Sequence, residues 1–126
     1  MKNPLSFAVL FLVLFTSQAL ADDSAPAYVE LTDVPTITVD WSKGHTQVVT
    51  LHGNHTFAFV NGQKGGKYLL IIKLDETGSR VPTWPKSVHW PGLSPPTLTT
   101  TANKKDYVSF FCDGQSYDLV GLSQGL

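Results

Sequence analysis

A single cysteine, Cys112, excludes an internal disulfide framework and any Cys-rich zinc or iron–sulfur site. Charge is also scarce. Asp, Glu, Lys and Arg make up 15% of the 126 residues, against roughly 25% in an average globular chain. With a net charge of −1 and no basic stripe, the sequence lacks the electrostatic footprint of a nucleic-acid binder. No segment repeats its apolar residues with a period of 3.6, so amphipathic helices are not expected. The carboxylates are scattered, without the facing pair that glycosidase chemistry needs, and Asp75-Glu76 reads as a solvated loop tip. No group of residues fills the roles of nucleophile, base and oxyanion donor, so no enzyme activity, cofactor or resident metal is expected.

What is present begins with a leader. Lys2 precedes an unbroken apolar run, Phe7 to Phe15, and Ala19-Leu20-Ala21 then meets Asp22-Asp23. A positive start, a short apolar run and a small-x-small exit describe a secretory signal peptide over residues 1–21. The run is short of the ~20 apolar residues that a membrane span requires. The expectation is a secreted, periplasmic or extracellular chain, cleaved after Ala21 and not inserted in a membrane. Residues 22–126 are then one domain, with Asp22–Pro26 as a loose lead-in.

That domain reads as short β runs broken by turn residues. The candidate strands are Tyr28–Thr32, Thr36–Val39, Gln47–Leu51, Thr56–Val60, Tyr68–Leu74, Asp106–Cys112 and Ser116–Leu122, rich in Val, Ile, Thr, Phe and Tyr. About seven short strands at this spacing predict an all-β fold, a small antiparallel β-sandwich with a jelly-roll-like arrangement. The connections are too short for the crossover helices that usually join parallel strands. A period of two puts Val108, Phe110 and Cys112 on one face and Tyr107, Ser109 and Phe111 on the other. Phe57 and Phe59 share a side. Tyr68–Leu74 is apolar on both sides and belongs in the middle of a sheet; that surplus of apolar surface, with Phe111, suggests a homo-oligomer.

The stretch Val81–Thr101 stands apart. It holds five of the eight prolines and repeats Trp-Pro at Trp84-Pro85 and Trp90-Pro91. Proline cannot donate to a central ladder, so this stretch is edge strand and loop. It supplies the candidate binding surface: Trp84, His89 and Trp90, joined by Arg80 and Tyr107. Trp and Arg in such positions dominate contact energetics, although Trp84 suits a core plug as well and Trp90 fits either place.

Smaller motifs offer alternatives. Gly53-Asn54 fits a two-residue hairpin turn that sets His52 against His55, and with His45 they make a candidate metal site. A zinc site normally takes three or four ligands, and no carboxylate adjoins these histidines in sequence. Asn54-His55-Thr56 is also an acceptor pattern for N-glycosylation. Gly121-Leu122-Ser123-Gln124-Gly125 matches a hydrolase nucleophile elbow, but no helix and no partner residues follow it. Cys112 alternates with Phe110 and Val108 as a buried small hydrophobe would.

An ordered series of short motifs then marks a resemblance. Thr77-Gly78-Ser79-Arg80 is followed by Thr83-Trp84-Pro85, Trp90-Pro91-Gly92, Pro96-Thr97-Leu98 and Thr100-Thr101-Ala102-Asn103. Upstream lie Val39-Asp40-Trp41, Gln47–Leu51 and Gly53–Phe57; Gly66–Lys73 leads in, and Asp106–Asp113 with Tyr117 closes the pattern. From Thr32 to Leu126 the chain resembles the C-terminal β-sandwich module of phage tail-fibre and minor virion structural proteins. The resemblance implies a compact sandwich used for attachment or assembly, in many cases as a homotrimer. The expected function is that of an exported, non-catalytic binding or assembly module recognising a surface polysaccharide, glycan or partner protein chain. The alternative is a small secreted hydrolase or metal-binding protein using His45, His52 and His55, and metal analysis of the purified protein separates the two.

Overall fold

The computed structural model describes residues 27–92 and 94–126. The expected signal peptide, its expected cleavage point and the expected lead-in lie outside the described residues. Eight strands follow in order: β1 (Tyr28–Glu30), β2 (Thr36–Asp40), β3 (Thr46–Leu51), β4 (Thr56–Val60), β5 (Lys67–Leu74), β6 (Val88–His89), β7 (Lys105–Cys112) and β8 (Tyr117–Ser123). One 3₁₀ turn, Trp41–Lys43, links β2 to β3, capped by the Asp40 carboxylate accepting from the Ser42 backbone N–H. The fold is all-β.

Six strands form one sheet in the order β1-β3-β5-β7-β8-β6, and β2 and β4 form a second sheet. The expected antiparallel arrangement is corrected. Four pairings among the described residues are parallel, β1 with β3, β3 with β5, β2 with β4 and β6 with β8. Only β5 with β7 and β7 with β8 are antiparallel. Parallel neighbours need a crossover that returns the chain to the same end of the sheet. Here a strand in the other sheet does what a helix does elsewhere: β2 carries the chain from β1 to β3, and β4 from β3 to β5. Short connections therefore suffice. The expected hairpin at Gly53-Asn54 is absent for the same reason, since β3 and β4 lie in different sheets; nor does Gly53 take the positive φ of a primed turn.

Faces follow the period of two. Val108, Phe110 and Cys112 point into the core, as do Phe57 and Phe59, while Phe111 is exposed on the outer face. β5 lies between β3 and β7 near the middle of its sheet, with Leu70 and Ile72 in the core and Ile71 buried on the opposite face. Both sheets contribute to one cluster, in which Phe59 meets Trp41, Phe110 and Tyr117 edge-on at centroid distances of 5.4, 5.3 and 5.1 Å. Trp41 also stacks on Tyr68 at 4.7 Å. Such edge and offset arrangements are those that the ring quadrupole favours.

Candidate functional site

The Trp-Pro segment closes the side of the small sheet next to β4. Thr83 pairs with that strand: its carbonyl accepts from Phe57 N–H at 2.8 Å, and its own N–H donates to the His55 carbonyl at 2.9 Å. That anchor buries Pro82 and lays Trp84 against Phe57 at 5.0 Å and Phe110 at 6.1 Å. Trp90 packs edge-on against Trp84, 5.0 Å away, and reaches Phe110. Both indoles are half-buried at the rim of the core.

Beside Trp84 lies a cleft of about 250 Å³. One side is Trp84 with Val81 and Pro82; the other is Pro95, Pro96 and Leu98, with Thr97 and Thr100 also lining it. The second side is held by the buried Asp106 carboxylate, which accepts from Thr99 N–H at 2.7 Å, and by Gln124 Nε2 donating to the Thr97 carbonyl at 2.7 Å. Arg80 is the one charged residue lining the cleft. Its Nη2 donates to Asp75 Oδ2 at 3.0 Å, and its Nε is buried without a partner.

Asp75 is therefore no solvated tip: it is 9% exposed and folds its carboxylate back into the turn. It accepts from Thr77 and Gly78 N–H groups as well as from Arg80, and these bonds, the guanidinium's first, hold its carboxyl below the ordinary range. The correction has a local cause. A turn with Gly78 at φ +71° and Ser79 at φ +59° directs its N–H groups inward, and a carboxylate satisfies them.

The five residues expected at one surface divide between two faces. Arg80 and Trp84 line the cleft, and Trp90 supports Trp84 from the side. His89 and Tyr107 alternate with the inward residues Val88 and Val108, so they stand on the outer face of the large sheet. There His89 Nδ1 lies 3.3 Å from Asp118, and Lys105 Nζ lies 5.7 Å from the Tyr107 ring centroid. Pro95, Pro96 and Leu98 were not expected in the binding surface, although Pro96 and Leu98 stood in one of the motifs of the resemblance; the adjacent pair Pro95-Pro96, following soon after Trp90-Pro91, was the available signal.

The three histidines do not form one site. His45 precedes β3 and sits edge-on to Tyr68 at 4.8 Å, whereas His52 follows the same strand at its far end. A six-residue strand separates them by about 20 Å. His52 and His55 do converge, on a residue that sequence spacing concealed. Asp33, from the β1–β2 connection, lies 3.0 Å from His52 Nδ1 through one oxygen and 2.7 Å from His55 Nε2 through the other. The three side chains clasp two connections together. Among the described residues, no group of three His, Cys, Asp or Glu side chains is arranged to hold a metal ion. Asn54 is exposed, and its Oδ1 accepts from Val81 N–H at 2.9 Å. Cys112 is buried, with Gly114 N–H 3.4 Å from its sulfur. Gly121 and Leu122 lie within β8, so the G-x-S-x-G match sits on a strand and not on a strand–turn–helix.

No helix of the described residues is long and apolar enough to cross a membrane. Compared with protein-family models, curated proteins and solved structures, the chain matches none.

Proposed function

We propose that this protein is an exported, non-catalytic binding module of the phage tail-fibre kind, folded as a two-layer sandwich, that recognises a surface polysaccharide, glycan or partner chain. The observation that carries the reading is the cleft beside Trp84. Its sides are apolar, threonine side chains also line it, and its single charged group, Arg80, stays partly exposed there beside its pair with Asp75. Such a cleft suits a ligand with a flat C–H face and a polar or anionic edge: the face lies against the indole and proline rings, and the edge meets Arg80.

The test is retention of the labelled protein on immobilised envelope polysaccharides and intact cell envelopes. Thr97 is exposed on the cleft lining, so Thr97→Trp fills the cleft without entering the core. Expected is retention of the parent protein and loss of at least about tenfold in affinity for Thr97→Trp and for Arg80→Ala. Retention unchanged in both variants overturns the reading, as does the absence of retention on every surface.

A further inference from the structure

The two edges of the small sheet are treated differently. The β4 edge is closed by Thr83 and the Trp-Pro segment. Among the described residues the β2 edge pairs with nothing beyond β4. Beside it opens a cleft of about 440 Å³, lined by Val29, Leu31 and Val34 from β1 and the connection after it, by Thr36, Ile37 and Thr38 of β2, and by the charged residues Glu30, Asp40 and Lys43.

The direction of the backbone groups can be read from one bond. The Pro35 carbonyl accepts from Thr56 N–H at 3.0 Å, so Pro35, Ile37 and Val39 face β4. The intervening residues Thr36, Thr38 and Asp40 turn their N–H and C=O groups to the open side. Gln47 answers one of these, its Nε2 donating to the Asp40 carbonyl at 2.8 Å. Its own Oε1 is buried without a partner. Natural proteins blunt open edges with Lys, Pro or a bulge inside the strand. The strand Thr-Ile-Thr-Val-Asp has no Lys, Pro or bulge, and its one charge, Asp40, stands at its end, where its carboxylate accepts from Ser42 and Asn61.

We propose that β2 is a self-association edge, on which a second copy of this chain pairs its own β2 antiparallel across a two-fold axis. The sequence of the strand fits its own reverse. Centred on Thr38, the pairing sets Thr38 against the second copy's Thr38 as a hydrogen-bonded pair. Ile37 then meets the second copy's Val39 on the core side. Thr36 meets the second copy's Asp40, so the two carboxylates stay apart. Threonine pairs and apolar pairs across strands are favourable, and like charges directly opposed are not. The two small sheets become one sheet of four strands, and each copy covers its partner's open cleft. A self-complementary edge of this kind closes at two copies. The inference stands independently of the ligand cleft, which lies on the β4 side.

The test is sedimentation of the exported chain at concentrations up to about 0.2 mM. The expected species is a dimer. Thr38→Lys places two ammonium groups opposite each other and raises the dimer dissociation constant by at least about tenfold. Thr36→Lys faces the second copy's Asp40 and leaves the constant unchanged or lower. Thr38→Pro removes an N–H that points away from β4, and it also disperses the dimer; if that variant fails to fold, Thr38→Lys decides alone. A monomeric parent, a trimer, or a dimer indifferent to Thr38→Lys overturns the proposal.

Discussion

Asp75 joins three backbone and side-chain donors in one turn, and its behaviour in acid follows. Its carboxyl is held below its ordinary value of 3.8, first by Arg80 and then by the Gly78 and Thr77 N–H groups. A carboxyl depressed in the folded state contributes stability that is present above the unfolded value and is lost as the pH falls through the folded one. Asp40, bonded to Ser42 and Asn61, and Asp113, bonded to the Ser116 and Gln115 N–H groups, are depressed in the same direction. Thermal melts are expected to hold steady from neutral pH to about pH 4, then to fall steeply below 3.8. Asp75→Asn is expected to lower the melting temperature at pH 7 and to flatten that acid limb. Little of this was legible beforehand. The Trp-Pro repeats marked Trp84 as a residue of the rim because proline and tryptophan announce themselves by type. Asp33 and Asp75 did not, because a carboxylate's role depends on which donors the fold turns towards it.

At the level of the element, the turn after β5 and the loop before it place opposite demands on glycine. Gly78 has φ +71°, and a Cβ there would sit 2.7 Å from both Ala102 N and the Thr100 carbonyl. Gly65 has φ +86° and open space around the same position. Gly65→Ala is expected to cost about 1–2 kcal/mol, the penalty of left-handed backbone alone. Gly78→Ala is expected to cost more than that, since backbone must also move; chemical denaturation of both variants measures the difference. Strand positions and faces were legible, because alternation states which side of a strand is buried. Pairing partners were not. A buried face looks the same whether its neighbour runs parallel or antiparallel, and the path from β1 to β3 through the second sheet leaves no mark on either strand's composition.

For the molecule as a whole, the same path governs the rate of assembly. Pairing β1 with β3 requires β2 to be placed, and pairing β3 with β5 requires β4, so few contacts are local. Refolding followed by tryptophan fluorescence is expected in roughly the millisecond-to-second range typical of non-local β folds. Microsecond refolding would contradict the topology.

The first five strands pass from one sheet to the other at each step, like a lace drawn through two rows of eyelets. A cut at Gly53-Asn54 would therefore not separate the layers. The N-terminal piece would keep β1 and β3 of the large sheet with β2 of the small one. The C-terminal piece would keep β4 with the remaining strands of the large sheet. Neither piece holds a finished surface, and each exposes in both layers the edge that the other completes. The protein is thus a poor source of autonomous fragments and a natural pair of halves, able to regain order only by closing both layers together.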